Sequence, residues 1–64
     1  MALNLEPNIC DPDGFYDALL AVHHGLSKEE SDALNARLIL ILANHIGDRA
    51  VLDAALYVAR PNRP

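Results

Sequence analysis

One cysteine, no tryptophan, one phenylalanine and two tyrosines in 64 residues rule out several ways of holding a small protein together. With Cys10 alone no internal disulfide can form, and a lone thiol suits a reducing compartment. His23, His24, His45 and Cys10 do not fall at the short paired spacings of a zinc site. Five Lys and Arg against nine Asp and Glu argue against nucleic-acid binding, whose affinity comes largely from cations meeting phosphates. The apolar run Leu38–Ala43 is far short of the roughly 20 residues that cross a bilayer, so no membrane role is expected. The start, Met1 to Pro7, has neither the basic stretch nor the long apolar core of a signal peptide, which makes the cytoplasm the expected location. Strand-like alternation, repeats and glycine-rich phosphate loops are also missing.

What remains is short, apolar and acidic. The length suits one domain spanning 1–64. A chain of this size buries only about 60% of the surface it exposes when unfolded, so it usually needs a staple: a disulfide, a metal or a second chain. Without the first two, and with 52% apolar residues, oligomerisation is the staple left. Charge is uneven: residues 1–32 carry seven acids and Lys28, a balance of −6, and residues 33–64 carry two acids and four arginines, a balance of +2. Such asymmetry can favour antiparallel or head-to-tail contact between chains; the plain reading is a solvated surface.

The pattern predicts an all-α, compact three-helix bundle with helices at about 12–24, 28–46 and 49–60, an extended N-terminal arm over 1–10 and a frayed tail over 61–64. Asp11 before Pro12 reads as an N-cap, although Asp11-Pro12-Asp13-Gly14 also suits a tight turn capped by Asp13. Phe15, Ala18, Leu19, Val22 and Leu26 make one apolar stripe, and Gly25 ends the first helix. Ser27 and Glu30 form a capping box at the start of the second. Gly47 stops that helix and Asp48 caps the third, whose inward residues are expected to be Val51, Leu52, Ala55, Val58 and Ala59. Pro61 ends it.

At about 100° per residue the second helix resolves into stripes. Leu34, Leu38, Ile41 and His45 form one, and Asn35, Ile39, Leu42 and Ile46 form another beside it. Together they are wide enough to receive both neighbouring helices. On the opposite side Ala33, Ala36, Leu40, Ala43 and Gly47 recur at three, four, three and four, the rhythm of knobs-into-holes packing. These five residues are the candidate interface, for a dimer or for another protein. The plain alternative is an exposed face of good helix formers. If two copies meet there, Leu40→Glu is expected to give a folded monomer.

No residue set announces catalysis. Asp11, Asp13 and Asp17 lack the spacing of a calcium loop. His23, His24 and His45 sit near helix C-termini, where charged histidine is favoured. Cys10 has no catalytic surroundings, and Ser27 serves as a cap. Asn44 and His45 are expected to bond the backbone of the following turn and so orient the third helix. A helix-turn-helix reading would offer Arg49 and Arg60 to DNA, but Asp53 lies between them and the usual base-reading residues are absent. Arg49, Asp53, Tyr57 and Arg60 share a face that suits ion pairs or a partner contact. No enzyme activity, metal or cofactor is expected.

Two segments carry a resemblance: Asp11-Pro12-Asp13-Gly14-Phe15-Tyr16, and Leu34-Asn35-Ala36-Arg37 through Leu42-Ala43-Asn44-His45-Ile46-Gly47-Asp48. Over roughly residues 3–60 the chain resembles the small bacterial proteins grouped as domain of unknown function 2783. The resemblance implies a compact helical protein and singles out Asn35, Arg37, Asn44, His45 and Asp48 for testing. It implies no catalytic residue. It also implies an association with flavin-dependent aromatic hydroxylases and other catabolic enzymes, as an accessory subunit. The expected function is therefore a protein–protein interaction module that self-associates, as a dimer, or docks a partner through the second helix. The alternatives are an accessory subunit of a catabolic enzyme and a small DNA-binding regulator.

Overall fold

A computed structural model describes residues 2–61; Met1 and the tail residues 62–64 lie outside it. Three helices and no strand occur among the described residues: α1, Pro12–His23; α2, Lys28–Ile46; and α3, Arg49–Ala59. Residues 2–10 form neither helix nor strand.

Each helix begins on a polar cap. Asp11 takes a left-handed backbone, φ 56°, a conformation that aspartate tolerates better than most residues. The following proline already disfavours the right-handed helical region there. The Asp11 carboxylate accepts from Gly14 N at 3.1 Å. It fills the space a Cβ at position 14 would need, which explains a glycine inside a first helical turn. At α2, Ser27 Oγ accepts from Glu30 N at 3.2 Å, and Glu30 Oε1 accepts from Ser27 N at 2.9 Å. Asp48 Oδ1 accepts from Ala50 N and Val51 N at 3.0 and 3.3 Å.

Gly47 closes α2 in a left-handed conformation, φ 72°, which costs a residue with a Cβ about 1–2 kcal/mol. Gly47→Ala should therefore lower stability by roughly 1 kcal/mol, read as a lower urea midpoint at an unchanged slope. Asn44 and His45, expected to tie this turn, are exposed. Their side chains make no hydrogen bond to another described residue; Gly47 and Asp48 shape the turn instead.

The helices are as the pattern predicts, to within one residue at the ends. Their packing is far more open than a closed bundle. Val51, 8% exposed, is the one buried residue among those described. The accessible surface is 5904 Å², where a compact monomer of this mass would show about 4,000 Å². The radius of gyration is 13.8 Å, against about 11 Å for a compact chain of this length. In α1 only Leu19, His23 and Gly14 are even half-buried. In α3 Val51 is buried and Leu52, Ala54 and Ala55 are half-buried, but the inward face outlasts its support: Val58, one turn on, is 56% exposed, and Ala59 is exposed too. The two seams of α2 expected to receive α1 and α3 are covered only at Leu34 and Leu38, both half-buried.

Candidate interaction surface

The middle of α2 is the apolar ground of the molecule. Ile39, Leu40 and Ile41 are 64, 70 and 63% exposed, and three successive residues of a helix point in three directions. The exposed surface therefore wraps well over half the circumference rather than forming one stripe. Of the five residues singled out for an interface, Ala33, Ala36, Leu40 and Gly47 are exposed and Ala43 is half-buried. The apolar band is wider than that seam, because Ile39, Ile41, Leu42 and Ile46 are exposed as well.

Val22 of α1 and Leu34, Arg37, Leu38 and Ile41 of α2 line a shallow apolar groove. Arg37 edges it and makes no ion pair with another described residue. Such a side chain can lay its methylenes on apolar surface while its guanidinium stays wet.

α1 is held to α2 by a polar clasp that spacing alone did not disclose. His23 Nδ1 lies 3.0 Å from Ser31 Oγ, and His23 Nε2 lies 3.1 Å from Asn35 Oδ1. The carbonyl oxygen of Asn35 can only accept, so Nε2 carries the proton. In the neutral ring the Ser31 hydroxyl then donates to Nδ1. Three residues thus satisfy one another across the α1–α2 junction. Asn35, flagged by resemblance alone, has a structural partner here. The readable signal was His23 at the last turn of one helix, with Ser31 and Asn35 four apart on the next, hence on one face. Removing one side of the clasp should cost about 1–2 kcal/mol. Asn35→Ala and His23→Ala should each lower the urea midpoint, and the double variant should lose less than their sum.

The arginine-bearing face of α3 is engaged within its own helix. Arg49 Nε donates to Asp53 Oδ1 at 2.9 Å. That hydrogen bond, with the charge of Asp53, holds the guanidinium proton even more firmly than usual. The Arg60 guanidinium lies 4.6 Å from the centre of the Tyr57 ring, within cation–π range. On α2, Lys28 Nζ bonds Asp32 Oδ2 at 2.8 Å. Cys10 is exposed. Among the described residues no group of three His, Cys, Asp or Glu side chains is placed to hold a metal ion. No described helix is long and apolar enough to cross a membrane.

The family model described as "Protein of unknown function (DUF2783)" matches residues 3–61. The chain belongs to that family. The match takes in the arm and all three helices of this DUF2783 protein, including the exposed centre of α2. No curated protein and no solved structure matches the chain.

Proposed function

We propose that this DUF2783 chain is a non-catalytic interaction module that docks protein through α2. The observation that carries the reading is the exposure of Ile39, Leu40 and Ile41 at mid-helix. Fully burying one such side chain gains about 1.5–3 kcal/mol, and the isolated chain leaves all three in water. The sequence adds support from the other side, since it announces no nucleophile–base constellation, acid–base pair or phosphate loop. An accessory subunit of a catabolic enzyme would use the same face, with the enzyme as the protein docked.

The test is covalent capture. A photo-crosslinking amino acid in place of Leu40, in the native host at natural expression, should yield a defined protein adduct. The same group in place of Asp17, exposed on α1 away from its apolar stripe, should yield little. Recovery of only the free chain from the Leu40 position would overturn the reading.

A further inference from the structure

We propose that the protein docked on α2 is a second copy of this chain, lying antiparallel, and that folding and dimerisation are one event. The inference rests on the docking role of α2 and goes further by naming the occupant. Two arguments select it.

The first is area. Two separated chains expose twice 5904 Å². An ordinary globule of their combined mass would expose about 6,700 Å², so close packing must remove about 5,000 Å², which falls in the class of obligate homodimers. A second copy brings an apolar band of the same extent.

The second is complementarity. The acidic half of one chain is kept away from the acidic half of its copy only if the two run antiparallel. A parallel pair would set Glu29, Glu30 and Asp32 against themselves, and like charges at an interface are costly. An antiparallel pair centred between Ile41 and Leu42 keeps the two acidic first turns of α2 at opposite ends of the contact. The same register sets Leu40 against Ala43 and Ile39 against Ile46 of the second copy, large on small at the seam and apolar on apolar at its flank. Arg37 faces Asn44 of the second copy rather than another Arg37.

Sedimentation equilibrium of the wild-type chain at about 10–100 µM, in the micromolar range that tests a stable dimer, should give twice the 7.0 kDa chain mass. In the Leu40 crosslinking experiment the adduct should likewise weigh two chains. A folded 7.0 kDa monomer throughout that range would overturn the dimer. A heterologous adduct as the sole product at position 40 would also overturn it, while leaving the docking role of α2 intact. Orientation is read separately in a Cys10→Ser background. Ala33→Cys should stay reduced under mild oxidation, because the antiparallel register holds the two thiols about 25 Å apart along the helices. Rapid disulfide formation there would mean a parallel pair and would overturn the antiparallel assignment.

Discussion

Replacing Leu40 by glutamate should weaken the dimer about a thousandfold and take most of the helical signal with it. The two-fold relation introduces the change twice, and each carboxylate would face an alanine, with only the solvent-edge Arg37 one turn back on its own helix. A cost of about 2 kcal/mol per copy, at the low end for burying a polar group without a partner, already shifts the dissociation constant by roughly a factor of 10³. The spacing of the seam suggested that such a variant would remain a folded monomer. The structure argues otherwise. With Val51 as the single buried residue among those described, the three caps and the His23 clasp are most of what a separated chain has left. Helices of 12, 19 and 11 residues are marginal in water without tertiary packing. Sedimentation and far-UV circular dichroism at one concentration should therefore show mass and helicity falling together. A variant that kept the dimer mass would remove Leu40 from the interface. A monomer that kept full helicity would separate folding from association.

Local features were legible in the sequence because they are set by neighbours a few residues apart. Asp11-Pro12, Ser27-Lys28-Glu29-Glu30 and Gly47-Asp48 each place a side chain or a left-handed backbone within one turn of the group it satisfies, and the helix limits follow to within one residue. The coverage of α2 was not legible. Periodicity names a face but not its neighbour, so Leu38 and Ile41, on one stripe, read alike. Leu38 is half-buried and Ile41 is 63% exposed. The same ambiguity made Val58 look inward, although it is 56% exposed. The His23–Ser31–Asn35 clasp was hidden for a related reason. It joins two elements across a loop, and the histidine's position near a helix C-terminus already had a sufficient local explanation in the helix dipole. The seam of Ala33, Ala36, Leu40, Ala43 and Gly47 was visible as a pattern, but the band around it is broader, because exposure of Ile39 and Ile41 depends on what fails to pack against them.

Dilution alone should melt the wild-type chain. When unfolding releases two chains, each hundredfold dilution removes about 2.7 kcal/mol from the apparent stability of the dimer at 25 °C. Two 64-residue chains unfolding together carry an entropy of about 270 cal/mol/K at 2.1 cal/mol/K per residue. The melting temperature should therefore fall by about 10 °C between 100 µM and 1 µM, a shift many times the error of a dichroism melt. A chain that folds alone, whatever it later docks, would show the same midpoint at every concentration. The transition should also be single, with helicity and dimer mass lost at one temperature, because no separately buried core exists among the described residues to hold an intermediate. Salt gives the sign of the electrostatic part. With the acidic first turns at opposite ends of an antiparallel pair, raising ionic strength from 0.05 to 1 M has no close repulsion between them to screen and should leave the midpoint nearly unchanged at fixed chain concentration. A parallel pair would gain instead, since the same salt would screen the repulsion of Glu29, Glu30 and Asp32 from their own copies.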